Sequence, residues 1–181
     1  MKEIKVSDQD ILHLSLLREN VTNFIKKCAE KFDHDNYLLL DVAPQDHNGA
    51  KEFFKRTTIR TLDIDENSNA NYIADLCQNN SNIIPNNLFD VVICTEVLEH
   101  TLNPFDAVKE IKRILKPNGI VCVSVPFNFR IHGPLPDCWR FTEHGLRALF
   151  ISFEICELRA LETQSRDLMP IHYTLIAKKK V

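Results

Sequence analysis

The chain has 181 residues, of which 44% are hydrophobic and 26% are charged, with a formal net charge of −3. This length predicts one domain with a sizeable core. The slightly acidic balance argues against nucleic acid as a partner, because nucleic-acid-binding domains usually carry an excess of Lys and Arg. No segment approaches the roughly 20 apolar residues of a membrane-spanning helix, and the N-terminus lacks the apolar core of a signal peptide. We therefore expect a cytoplasmic protein.

The six cysteines and the carboxylates give no indication of a metal site. None of the cysteines forms a CxxC pair, and their spacing matches no zinc motif. Cys94 and Cys122 lie in apolar runs that are typical of strands. We expect buried, reduced thiols and no bound metal.

The first predicted element is a long amphipathic helix over residues 8–32. Ser7 and Asp10 resemble a capping box, and apolar residues recur at helical spacing from Leu14 to Phe32. Residues 1–36 thus form an N-terminal helical segment ahead of a sheet core at 37–181. We expect this helix either to cover a bound ligand or to pair with another subunit.

Strands and helices alternate over the rest of the chain. Helices are predicted near 50–55, from the Asn103 cap to Leu115, and from the Thr142 cap to about 150. The inner face of the second comprises Phe105, Val108, Ile111 and Leu115. Residues 66–88 are mostly irregular, and 116–119 form a turn. The predicted strands are 37–42, 57–62, 89–94, 120–125, 153–158 and 173–177, with a short element near 72–76.

This alternation predicts an α/β fold with a Rossmann-like, doubly wound sheet. The connection before the last strand, residues 162–170, is too short for a parallel crossover, which needs about a dozen residues or more. We therefore predict one domain over residues 1–181. Its mixed sheet has about seven strands, with the last one reversed.

Residues 89–119, FDVVICTEVLEHTLNPFDAVKEIKRILKPNG, closely resemble the central region of class I S-adenosylmethionine-dependent methyltransferases. That region combines an FDvv strand, an LEH tripeptide, an amphipathic helix with a basic LKP end, and a glycine turn. Weaker similarity extends from Tyr37 to the C-terminus. The resemblance implies a methyltransferase with S-adenosyl-L-methionine as its cofactor, bound at the carboxyl ends of the strands.

The first cofactor motif of that family, D-x-G-x-G-x-G, is altered in this chain. Asp41 matches its acidic residue, but Ala43, Gln45 and His47 replace the three glycines, and the loop retains only Gly49. Those glycines let the backbone approach the ligand and adopt positive φ. Asp41, Ala43 and Gln45 remain expected cofactor contacts, with Gln45 or His47 binding through its side chain.

Acidic residues at later strand ends match other cofactor positions of the family. Asp63 matches the carboxylate that accepts hydrogen bonds from the ribose hydroxyls, with Asp65 as the neighbouring alternative. The resemblance places the adenine of the cofactor beside Asp75 and Leu76. It places the methionine end beside Thr95 and Glu96.

Residues 126–141, PFNFRIHGPLPDCWRF, resemble a segment of small bacterial methyltransferases associated with cell-surface sugar and secondary-metabolite pathways. Three prolines stiffen it, while aromatic and charged groups converge. A polar acceptor suits such a wall, bound by stacking and by a pair of arginines. The expected substrate-binding residues are Arg130, Trp139 and Arg140.

A hydroxyl acceptor also requires a base, and imidazole titrates near neutral pH. The candidate catalytic residues are His132, His100 and Asp137, the last as a group that orients a histidine. Glu96 is an alternative orienting group, since it lies four residues before His100. His100 as a structural support for the loop is the competing interpretation.

Three functions are consistent with these patterns. The leading hypothesis is methyl transfer to a small polar acceptor, such as a sugar or sugar-nucleotide. The altered glycine loop motivates an alternative, a catalytically inactive methyltransferase fold that serves as a binding or scaffold partner. A nicotinamide-dependent oxidoreductase ranks last, because the glycine fingerprint after the first strand is missing.

Overall fold

The structure is a computed structural model that describes residues 5–44 and 49–181. These residues form three α-helices and seven strands, which alternate less regularly than predicted, because a 3₁₀-helix stands where an α-helix was expected near 50–55. Two short 3₁₀-helices, Gly49–Glu52 and Leu98–His100, lie in the connections. In chain order the elements are α1 Asp8–Phe32, β1 Leu38–Val42, β2 Thr58–Asp63, β3 Tyr72–Ile73, β4 Phe89–Thr95, α2 Pro104–Ile114, β5 Leu115–Pro126, α3 Glu143–Leu149, β6 Phe153–Leu161 and β7 His172–Lys179.

All seven strands form one sheet in the order β3-β2-β1-β4-β5-β7-β6. The first five strands in this order pair in parallel, whereas β7 is antiparallel to both β5 and β6. The short connection between β6 and β7 permits only a hairpin, and β7 therefore inserts between β5 and β6 in the reverse direction. The predicted Rossmann-like mixed sheet with a reversed last strand is confirmed.

Both faces of the sheet are buried, which explains the continuous apolar runs of its central strands. Leu40 and Val92 face a core that includes α2 and α3, while Leu39 and Val91 face a second core beneath α1. Alternate residues of each strand thus enter opposite cores, as the pleat of a strand requires. The sheet is therefore a buried central layer, and the loops that follow its parallel strands meet at its carboxyl edge.

Helix α1 begins at the predicted capping box. The Ser7 hydroxyl accepts from the Asp10 amide at 3.1 Å, and the Asp10 carboxylate accepts from the Ser7 amide at 3.1 Å. Near this end, His13 is buried, and its Nδ1 lies 3.1 Å from the carbonyl oxygen of Asn128. These contacts hold the start of α1 against the loop that follows β5. Within the described ranges, no helix is both long and apolar enough to span a bilayer.

Helix α2 has the predicted cap but a different buried face. Asn103 accepts from the amides of Phe105 and Asp106, with Pro104 at the first helical position. Phe105, however, is 64% exposed, so its assignment to the inner face is wrong. It lies nine residues, about two and a half turns, from the buried Ile114 and hence on the opposite side. Leu115 is buried, but as the first residue of β5.

Two smaller expectations also change. The predicted turn at 116–119 is a bulge within β5, between the pairs Phe89↔Leu115 and Val91↔Ile120. Cys138 and Cys156 are exposed, so the expectation of buried thiols is wrong for these two; Cys28, Cys94 and Cys122 are buried. Cys156 lies in β6 at the edge of the sheet, and a strand's sequence pattern alone does not distinguish an edge strand from a central one.

Candidate active site

Two cavities adjoin at the carboxyl edge of the sheet. The first has a volume of about 260 Å³ and is lined by the ends of β1 and β2 and by residues 74–77. The second has a volume of about 550 Å³ and lies between α1, residues 41–44 and the loop after β5. Ala43, Glu96, His100 and Pro134 line both cavities. The two volumes therefore form one extended site with a shared boundary.

The predicted cofactor carboxylates Asp63 and Asp75 line the first cavity. Asp63 is nearly buried at the end of β2, where its Oδ1 accepts from the Asp65 amide at 2.9 Å. Asp75 uses its Oδ1 in a similar turn, accepting from the Cys77 amide at 2.8 Å. Among the described residues each of these carboxylates accepts through Oδ1 alone, which leaves Oδ2 for ligand donors. Apolar side chains, including Leu62 and Leu76, form much of the remaining wall.

The altered glycine loop keeps part of its expected conformation. Ala43 has a φ of 49°, the left-handed backbone that glycine normally supplies at this motif position. The buried Asp41 accepts from the Ala50 amide at 2.8 Å, and burial raises its pKa to about 6. Asp41 therefore ties the two ends of the loop together. The predicted contacts of Gln45 and His47 lie outside the described residues.

Glu96, which also has a positive φ of 55°, belongs to a polar network that connects three distant elements. Its Oε1 accepts from the Ser124 hydroxyl at 2.7 Å and from His172 Nε2 at 2.6 Å. The side-chain amide of Asn20 donates to His172 Nδ1 at 2.8 Å, which places the imidazole proton on Nε2. Although burial favours a higher value, the bonds from His172 and Ser124 hold the pKa of Glu96 below its usual range. Sequence reasoning missed these partners, because none carries a local motif, and Glu96 bonds to His172 rather than to His100.

The loop after β5 folds over the 3₁₀-helix of the LEH tripeptide. The Cys138 and Trp139 amides donate to the Glu99 carbonyl at 2.7 and 3.1 Å. Trp139 Nε1 donates to the Thr101 carbonyl at 2.8 Å, and His100 Nδ1 lies 2.9 Å from the Pro136 carbonyl. These bonds anchor residues 136–139 directly beside the cavities, with Trp139 as an anchor of the loop.

The two arginines predicted to clamp an acceptor differ in their surroundings. The Arg140 guanidinium donates to Asp137 Oδ2 at 2.7 Å and to the Arg130 carbonyl at 2.9 Å, so it is engaged within the loop. The bond from Arg140 lowers the pKa of Asp137 to about 2. The Arg130 side chain instead points to α1, where its Nη1 lies 4.0 Å from Asp10 Oδ2. Arg130 therefore keeps donors for another group.

The predicted histidines converge on a residue to which the sequence assigned no role. The His100 and His132 rings lie 4.9 Å apart, and each Nε2 points to Glu99 Oε1, at 3.7 and 3.8 Å. Asp137 Oδ2 lies 3.2 Å from His132 Nδ1 and accepts from the His132 amide, as the predicted orienting role requires. Burial, then the Glu96 charge, raises the pKa of Glu99 well above its usual range. Burial also lowers the pKa of His132, against the opposing charge of Asp137.

Residues 21–123, more than half of the chain, match the family model described as "Methyltransferase domain". The chain belongs to this methyltransferase family. The predicted membership in the class I S-adenosylmethionine-dependent methyltransferases is thereby confirmed, with S-adenosyl-L-methionine as the cofactor. No curated protein sequence matches this methyltransferase significantly.

Solved structures show the same fold at low sequence identity. A SAM-dependent methyltransferase from Methanosarcina mazei aligns over 84% of this chain and 96% of its own, with 16% identity and a TM-score of 0.63. The YcgJ protein from Bacillus subtilis covers 90% and 99%, with 13% identity and a TM-score of 0.66. The MccD protein covers 90% and 98%, with 18% identity and a TM-score of 0.64. This methyltransferase therefore spans nearly the full length of these structures.

Proposed function

We propose that this methyltransferase transfers the methyl group of S-adenosyl-L-methionine to a small polar acceptor held in the second cavity. The observation that carries the proposal is the boundary that the two cavities share at Ala43, Glu96 and His100. A nucleoside in the first cavity directs its reactive end across this boundary. Because the sulfonium is already activated, alignment of the acceptor behind the methyl group does much of the chemical work.

The residues around the first cavity fit the adenosine part of the cofactor. In this arrangement Asp63 accepts hydrogen bonds from the ribose hydroxyls, and Asp75 with Leu76 contacts the adenine. Ala43, with its left-handed backbone, and Asp41, which holds the loop end, shape the passage to the methionine part.

The methionine end of the cofactor then reaches the end of β4. Thr95 and Glu96 lie there, both lining the second cavity. The positive sulfonium would therefore sit in the field of the Glu96 carboxylate, whose pKa stays low. The same carboxylate is held in place by Ser124 and His172, so its charge is preorganised.

The second cavity suits a small acceptor, because α1 closes it on one side. Leu14, Leu17 and Val21 provide an apolar wall, and Arg18 adds a charge at its rim. Its volume of about 550 Å³ lies within the range of small-molecule sites. A sugar combines a hydrophobic ring face with hydroxyls, and a sugar-nucleotide adds a phosphate, so either matches an apolar wall beside the Arg18 charge.

His132 is the group best placed to receive the proton of an acceptor hydroxyl. Its ring lines the cavity, and its Nδ1 lies against Asp137, which leaves the lone pair of Nε2 free to accept a proton. As the acceptor oxygen bonds to the methyl carbon, the sulfur–carbon bond breaks and the hydroxyl proton passes to Nε2. Asp137 stabilises the resulting imidazolium; Arg130 and Trp139 belong to the same loop, although neither lines either cavity.

Calorimetric titration with S-adenosylmethionine and S-adenosylhomocysteine tests the cofactor assignment. We expect micromolar binding by the wild-type protein, weakened at least about tenfold by Asp63→Ala, since charged hydrogen bonds contribute about 1.5–3 kcal/mol. Asp65→Ala is the matched control. Asp65 is exposed and lies only two residues after Asp63, so this variant should bind the cofactor with normal affinity. Equal losses in both variants would contradict the assignment of Asp63.

The same titration separates an enzyme from an inactive scaffold, the alternative that the altered glycine loop motivates. Failure of well-folded protein to bind either ligand at millimolar concentration would favour the scaffold. If binding is observed, release of S-adenosylhomocysteine in the presence of sugars and nucleotide sugars identifies the acceptor class. His132→Gln should then lower kcat about 100-fold or more, with cofactor affinity unchanged.

A further inference from the structure

The Glu99 carboxylate is the least compensated polar group of the site. Its side chain is 0% exposed, and among the described residues neither of its oxygens has a hydrogen-bond partner. A buried carboxylate without partners is strongly disfavoured, and such groups in folded proteins usually have a specific compensation. The Arg140 guanidinium, whose charge acts on Glu99, is already bonded to Asp137. A cation at the Glu99 carboxylate would provide the missing compensation.

Two imidazole nitrogens point to the same carboxylate oxygen. His100 Nδ1 donates to the Pro136 carbonyl at 2.9 Å, and His132 Nδ1 lies 3.2 Å from the Asp137 carboxylate. Both contacts place the proton on Nδ1 and leave Nε2 as an acceptor. Metal-binding histidines characteristically have this arrangement, in which a carbonyl or carboxylate fixes the distal ring nitrogen.

We propose that Glu99, His100 and His132 form a binding site for a divalent first-row transition-metal ion. Their three ligand atoms all lie within 4.8 Å of one another, and Glu99 Oε1 lies 3.7 and 3.8 Å from the two Nε2 atoms. Ligands about 2.1 Å from a tetrahedral ion are about 3.4 Å apart. Small side-chain rotations therefore close the set around an ion.

The donor atoms decide which ions the site selects. Two imidazoles and one carboxylate suit Zn²⁺, Co²⁺, Fe²⁺ or Mn²⁺, and the same donor set occurs in facial two-histidine, one-carboxylate sites. Mg²⁺ and Ca²⁺ prefer ligand sets made of oxygen atoms. The cluster should therefore bind Co²⁺ or Zn²⁺ and discriminate against Mg²⁺.

The position of the cluster indicates what the ion would do. His100 and His132 line the second cavity, and three protein ligands leave at least one coordination position open to it. An acceptor hydroxyl bound there would have a lowered pKa and a fixed direction, so the ion would replace His132 as the means of deprotonation. This role, unlike metal binding itself, rests on the proposed function.

Metal titration of untagged protein, stripped with a chelator, tests the site. We expect one equivalent of Co²⁺, detected by its visible absorption, and one equivalent of Zn²⁺ by calorimetry. Glu99→Gln and His132→Gln should each weaken binding at least about tenfold, and Asp137→Asn, which releases the His132 ring, about tenfold. His144→Gln is the matched control, because His144 is exposed on α3 outside the cluster.

Failure of the wild-type protein to bind either ion would overturn the proposal, as would binding that Glu99→Gln and His132→Gln leave unchanged. Circular dichroism of each variant verifies that it is folded, and His132→Gln changes only a partly exposed loop side chain. Titration of the same samples with S-adenosylhomocysteine keeps the two proposals apart. If the wild-type protein binds cofactor but neither metal ion, only the metal site is overturned; if it binds metal but no cofactor, only the proposed function is overturned.

Discussion

His172 donates through Nε2 to Glu96 Oε1 at 2.6 Å and so connects the reversed strand β7 to the turn after β4. The imidazole is fully buried, whereas the Glu96 side chain is 22% exposed toward the cavities. One face of this pair thus stabilises the fold, and the other presents a fixed negative charge to the site. The arrangement makes Glu96 a preorganised group rather than a mobile surface carboxylate.

Replacement of His172 by Phe keeps an aromatic ring in the core but removes both of its hydrogen bonds. We expect the free energy of unfolding to fall by about 2–3 kcal/mol, because Glu96 and Asn20 each lose a buried partner. Urea denaturation measures the loss. Glu143→Gln, which breaks the exposed Glu143–Arg147 pair, is the control and should cost under about 0.5 kcal/mol. Similar losses in the two variants would contradict the role of His172.

The left-handed backbone of Ala43 predicts a stabilising substitution. Since its φ is 49°, Ala43→Gly should relieve strain and raise the free energy of unfolding by about 0.5–1 kcal/mol. Ala29→Gly within α1 is the control, and it should lower stability by about 1 kcal/mol. Thermal and urea unfolding together give the sign of both changes. A loss of stability in Ala43→Gly would show that the methyl group has contacts that outweigh the strain.

Gly49 closes the same loop, and its lack of a side chain is required. Its φ is 50°, and an added Cβ would lie 2.4 Å from Asp41 Oδ2. Gly49→Ala should therefore cost about 2 kcal/mol or more of stability, by backbone strain and by displacement of a buried carboxylate. In contrast, Gly133→Ala meets no atom within 4 Å and should cost under about 0.5 kcal/mol. Equal effects in a urea titration would exclude this packing argument.

Asp41 predicts a specific pH dependence of stability. Burial raises its pKa in the folded protein to about 6, above the usual value of 3.8, so the folded state holds the proton more tightly than the unfolded state. The stabilisation that protonated Asp41 gives the folded state is fully present below about pH 4 and is lost as the pH rises through about 6. The free energy of unfolding changes by about 3 kcal/mol as a result. Asp41→Asn should remove this decline.

Urea unfolding between pH 4 and pH 7 measures the difference between wild-type protein and Asp41→Asn, since all other groups titrate in both proteins. Asp35→Asn serves as the control, because the Asp35 side chain is 74% exposed. Its stability curve should remain parallel to that of the wild type. A parallel curve for Asp41→Asn as well would mean that Asp41 is ionised in the folded protein.

The fold and the position of the site are largely readable from the sequence. The Ser7 capping box, the Asn103 and Thr142 caps and the reversed last strand all depend on residues close together in the chain, and each is confirmed. Burial of both faces of a parallel sheet produces the continuous apolar runs that identified β1, β4 and β5. The carboxyl ends of the parallel strands meet at one edge, which explains why Asp63 at the end of β2 and Asp75 just after β3 line a common cavity.

Only the tertiary structure decided how the polar groups are paired. His172 lies 76 residues from Glu96 and 152 from Asn20, and no spacing rule connects such positions. Arg140 has a side chain suited to binding an anionic acceptor, yet it forms its hydrogen bonds with Asp137 of the same loop. Hydrophobic periodicity identifies elements because it repeats within a few residues. The partners of a buried charge depend instead on which loops the sheet brings together, and so the convergence of His100 and His132 on Glu99 emerges only in three dimensions.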